Sequence, residues 1–82
     1  MNKDYVISEG PYYISFTEGK FINDKTFQIK YQSDGPNKKQ VLEFLKARHP
    51  EVASRVIKKM IFKPEWVEDE NGSIVAYVLI EF

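Results

Sequence analysis

No cysteine occurs among the 82 residues, which removes disulfides, thiolate metal ligands and cysteine nucleophiles and fits a reducing, cytoplasmic setting. The one histidine, His49, has no second His or Cys to complete a metal set, and it precedes a proline, where a capping or surface role suits it better than ligation. The four glycines are isolated from one another, so no phosphate-cradling loop is present. A single imidazole leaves one candidate base, and no serine stands in a nucleophile-elbow context, so no triad can be assigned. No stretch approaches the roughly 20 apolar residues of a membrane span, and the N-terminus lacks the apolar run of a signal peptide. The expectation from these gaps is a non-enzymatic protein with no metal, no cofactor and no membrane partner.

What is present suffices for one core. Hydrophobic residues make up 43% of the chain, including six Phe, five Tyr and Trp66, while a chain this short cannot divide its apolar surface between two interiors. Residues 1–82 are therefore read as a single domain.

The formal net charge is zero, but its distribution is uneven. Residues 1–36 carry four lysines against five acids. Residues 37–63 carry eight basic side chains against Glu43 and Glu51, and residues 64–82 carry only acids, five of them. If folding keeps these segments apart, the molecule has a basic and an acidic side.

Strand periodicity is clear at Tyr12–Thr17, where Tyr12, Ile14 and Phe16 alternate with Tyr13, Ser15 and Thr17, and at Thr26–Gln32, where Phe27, Ile29 and Tyr31 share a face. Glu18-Gly19 and Asn23-Asp24 between them are bulge or turn chemistry, which predicts an antiparallel hairpin. Tyr5 to Ile7 is a candidate additional strand. After the break at Asp34-Gly35-Pro36, Asn37 and Gln40 have the spacing of a helix N-cap and its reciprocal partner. Val41, Leu42 and Leu45, with Phe44 beside them, make that helix amphipathic.

His49-Pro50 ends the helix, because proline disfavours helical geometry in the residue before it. From Pro50 to Phe62, helical spacing gathers Val52, Ala53, Val56, Ile57, Met60 and Ile61 on one arc and the cations on the other, so a second helix is expected. The strand alternative splits the apolar residues between two faces. Asn71-Gly72 predicts a closing hairpin with a two-residue type I′ turn. Its outgoing strand, apolar on both faces from Ile74 to Ile80, should be central, and Pro64 places the incoming strand at an edge. The fold class expected is α+β, a small antiparallel sheet of two hairpins with one or two central helices on one face, ββα(α)ββ.

Two features bear on function. Arg48, Arg55, Lys58, Lys59 and Lys63 could contact phosphates or an acidic partner. Tyr13 and Trp66 are candidate interface aromatics in a chain whose strands offer aromatic side chains on both faces. The carboxylates Glu65, Glu68, Asp69 and Glu70 lack the ordered spacing of a calcium loop and read as a solvated hairpin tip. The function expected is a small protein-binding module, such as a regulator, inhibitor or homo-oligomeric accessory protein of bacterial or phage type. The alternative is a nucleic-acid-binding module using the basic segment 38–63.

Overall fold

Alternating apolar residues become strands here because each strand finds a neighbour on which to lay its apolar face. The computed structural model describes residues 4–82. Its elements are β1 (Tyr5–Glu9), β2 (Tyr12–Asn23), β3 (Thr26–Ser33), α1 (Lys38–Arg48), α2 (Pro50–Ala53), β4 (Lys59–Glu68) and β5 (Ile74–Glu81). All five strands form one antiparallel sheet in the order β1-β2-β3-β5-β4. The class is thus α+β. Tyr5–Glu9 supplies a third strand ahead of the helices, so the order is βββααββ in place of ββα(α)ββ. Among the described residues no helix is long and apolar enough to cross a membrane.

One face of the sheet carries the core. Ile7, Ile14, Phe16, Phe27, Ile29, Tyr31, Ala76, Val78 and Ile80 are buried together with Val41, Phe44 and Leu45 of α1 and Val52 of α2. Phe16 stacks on Phe44 with ring centroids 4.8 Å apart. Each such side chain contributes about 2 kcal/mol by leaving water. The capping box forms as its spacing predicts: the Asn37 side chain accepts from the Gln40 N–H at 2.9 Å, and the Gln40 side chain accepts from the Asn37 N–H at 2.9 Å. Gln40 also donates to Glu9 at 2.8 Å, tying the start of α1 to β1.

The expected second helix is cut short. α2 ends at Ala53, and Lys59–Phe62 continue as strand β4. Pro50 stands at the first helical position, where it starts α2 without ending it, so the deciding fact is not local: β5, apolar on both faces, needs a partner on each edge. β4 supplies the second partner, at the cost of leaving Val56 84% exposed. Tertiary pairing has overridden helical periodicity.

β5 is flanked by β3 and β4, and β4 is an edge strand that runs through Pro64. The ladder shows which residues of β4 face outward. In an antiparallel pair, backbone groups face the two neighbours alternately along a strand. The Phe82 N–H donates to the Lys25 carbonyl at 2.9 Å, so Phe82 faces β3. Residues 81, 79 and 77 then face β4, opposite Lys59, Ile61 and Lys63. The outward row of β4 therefore includes Met60 and Phe62, and beyond Lys63 the ladder shifts register in a stretch that begins with Pro64; an irregular edge and a residue without a donor both blunt strand addition.

The closing hairpin exists, with a three-residue loop where the sequence suggests two. The Asp69 N–H donates to Ser73 O at 2.9 Å and the Gly72 N–H to Asp69 O at 3.1 Å. Gly72 carries φ of 81°, the bulge position that follows a type I turn. Gly72→Val should therefore cost about 1–2 kcal/mol, because a branched side chain resists positive φ. Asn71→Ala should cost less than about 0.5 kcal/mol, as for an ordinary surface change. Urea unfolding of the two variants checks the difference, and equal costs would move the strained position off Gly72.

Candidate functional site

Helices occupy one face of the sheet; the other face divides in two. Over β2 and β3 it is polar, and the β4–β5 tip folds back across it. Lys30, 6% exposed, places its ammonium 3.2 Å from Asp69 and 3.3 Å from Glu70, with Glu18 at 3.8 Å. Gln32 donates to the Ile74 carbonyl at 3.3 Å on the same side. Burial pushes the Lys30 ammonium down, but its hydrogen bonds to Asp69 and Glu70 and the charges of Glu18 and Asp69 outweigh that and hold its pKa above the usual lysine value.

The Asp69 carboxyl is held below its ordinary range, first by the Ser73 N–H, then by the Asn71 N–H and Lys30, against the opposing effect of burial. So the acidic tip is not simply solvated. Glu70 stays exposed, but Asp69 is an internal latch with 4% of its side chain accessible. No group of acids and histidines among the described residues could hold a metal ion.

Over β4 and β5 the same face is apolar and uncapped. Val67, Tyr77 and Leu79, with Gln28, Lys63 and Glu65, line a shallow groove of about 300 Å³. Ile61 pairs with Leu79 across the ladder and extends the floor. Val67 is 43% exposed, while Ile61, Tyr77 and Leu79 are half-buried. The sequence marks this surface by its apolar run on both faces of Ile74 to Ile80. That run suggests cover on both sides, yet the structure puts helices over only one.

The five basic residues do not form one arc. Arg48, in the last turn of α1, lies 5.4 Å from the Tyr5 ring centroid and donates to the Asp4 carbonyl at 3.3 Å, beside β1. Arg55 follows α2 and covers Phe82 at 4.3 Å and Phe21 at 5.3 Å. Lys58 donates its N–H to the Glu81 carbonyl at 2.8 Å, Lys59 pairs with Glu81 and Lys63 with Tyr77. The arc needs a helix through residue 59, and that helix does not form. Of the five, only Lys59 and Lys63 share a strand face, and only Lys63 lines the groove.

Tyr13 and Trp66 also separate. Tyr13, 47% exposed, alternates with the buried Ile14 and so stands on the helix-free face near β1. Trp66, 49% exposed, sets its ring edge-on to Tyr31, centroids 6.0 Å apart, on the helix side. His49 closes α1 by donating its N–H to Leu45 at 2.7 Å, and its ring wedges between Phe27 and Phe44 at 5.0 and 5.4 Å. Its role is capping and packing.

No family model, no curated protein and no solved structure matches the chain.

Proposed function

We propose that this chain is a small, non-enzymatic protein-binding module that docks through the uncapped half of its sheet. The observation that supports this most is the continuous apolar floor of Ile61, Val67, Tyr77 and Leu79 on a face that no helix covers. An apolar patch with a polar rim is the common anatomy of a protein interface. Lys63, Glu65 and Gln28 supply that rim. The groove carries one cation and one anion, a balance that suits a mixed-charge protein surface better than a row of phosphates.

Val67→Lys tests the reading, since an exposed edge position tolerates the charge while the floor does not. Affinity capture from the source cell should recover a partner with wild-type bait and lose it with Val67→Lys, and nuclease should make no difference. Capture that depends on nuclease and ignores the variant overturns the proposal in favour of nucleic acid. A salt titration against random DNA would then count the phosphate contacts.

A further inference from the structure

We propose that the groove's occupant is a second copy of this chain, related by a two-fold axis that crosses the strands between Lys63 and Glu65. The inference rests on the protein-binding reading above. A two-fold interface must be self-complementary: where residue i meets residue j, j meets i. The groove has that property. Lys63 and Glu65 lie two positions apart on one strand and line the same rim.

A two-fold between them sets Lys63 against Glu65 of the second copy, and Glu65 against its Lys63. β4 shifts register against β5 between Lys63 and Val67, so that Ile61, Lys63 and Val67 lie opposite Leu79, Tyr77 and Val75 in turn. Ile61 and Val67 thus flank Lys63 at one ladder step on either side, and the operation brings these two ends of the apolar floor towards each other, with Tyr77 near the axis. Charged residues meet opposite charge, and apolar residues meet apolar. Two sheets stacked in this way have antiparallel strands, compatible with the aligned packing of a sandwich about 10 Å apart.

The alternative route to a symmetric pair, joining β4 edge to edge, meets Pro64 and the register shift beyond Lys63. A net charge of zero leaves no overall repulsion between copies. At this end of the sheet face-to-face stacking is therefore the better route, and it is the one that covers the apolar groove.

Sedimentation velocity across a concentration series should show wild type in monomer–dimer exchange. Lys63→Glu places two acids against two acids, and Glu65→Lys two cations against two cations, so each variant alone should weaken the dimer at least about tenfold. An equimolar mixture of the two should recover dimer, because each mixed pair restores both opposite-charge contacts. Circular dichroism on each variant confirms that it is folded.

A wild type that stays monomeric throughout overturns the self-association, as does a mixture no better than its components. Failure of the dimer with survival of the Val67-dependent capture would remove this inference and leave the protein-binding reading standing. Loss of both would remove both.

Discussion

Asp69→Ala should lower the thermal midpoint by more than roughly 10 °C, because it leaves a buried ammonium short of its best partner. The Asp69 carboxylate accepts from the Asn71 and Ser73 N–H groups at 2.9 Å each and from Lys30 at 3.2 Å. Alanine removes all three acceptor contacts at once. Glu70, largely in water, and Glu18, at 3.8 Å, are poorer substitutes. Lys30→Met should cost clearly less, since it removes the buried charge, keeps the packing stem, and leaves Asp69 its two backbone donors. Thermal unfolding by circular dichroism compares them. Equal midpoints for wild type and Asp69→Ala would show that the hairpin tip does not close over Lys30 in solution.

The latch also fixes how stability depends on pH. Asp69, whose ordinary value is 3.8, is lowered in the folded protein; its contribution is present above that value and lost as pH falls through the lower folded one. Lys30, ordinarily 10.5, is raised; its contribution is present below 10.5 and lost as pH rises through the folded value. Burial, with the Glu65 charge nearby, raises Tyr31 above 10.0, and burial with Glu43 raises Tyr5 despite Arg48. Both tyrosines therefore add to the alkaline loss. The pH profile of Asp69→Asn should lie below that of wild type at neutral pH and converge with it below pH 3.8.

Local signals in the sequence were followed closely where the structure they require is itself local. The Asn37–Gln40 cap and the hairpin at Gly72 each depend on contacts within a few residues, and the alternating runs at Tyr12–Phe16 and Phe27–Tyr31 meet across one hairpin of consecutive strands. The Pro50–Phe62 segment is different. Its periodicity suits a helix, but its conformation is decided by β5, which lies more than a dozen residues later and lacks a partner without β4. The basic arc fell with that helix, since Arg55, Lys58 and Lys59 share a face only if the helix continues.

The groove was half legible. The apolar run at Ile74–Ile80 is visible in the sequence, but two short helices cannot cover both faces of a five-stranded sheet, and which face goes bare is decided by the register of β5. The burial of Asp69 gave no sequence signal. Its partner, Lys30, is 39 residues away, and an alternating lysine on a strand reads as solvent-facing.

Gly19→Ala should cost about 1–3 kcal/mol, the range for overpacking a filled interior. Past the bulge between Phe16 and Glu18, Gly19 pairs with Ile29 and so points to the helix side. A methyl group there would lie 2.8 and 2.9 Å from the Phe27 ring and 3.0 Å from His49 Nε2. Phe27 is 2% exposed and cannot swing into solvent; its ring is held edge-on by Phe21 at 5.0 Å and His49 at 5.0 Å. The bare backbone at Gly19 leaves the space that the Phe27 ring edge and His49 Nε2 occupy, and so lets the α1–α2 junction, carried by His49, settle onto the sheet. Phe27→Leu removes the far end of the ring and makes room for the methyl. The double variant Gly19→Ala/Phe27→Leu should therefore be more stable than the sum of the single changes allows, by at least about 0.5 kcal/mol. Denaturant unfolding of all four proteins measures that coupling, and strictly additive costs would mean that the methyl at residue 19 finds its space without moving Phe27.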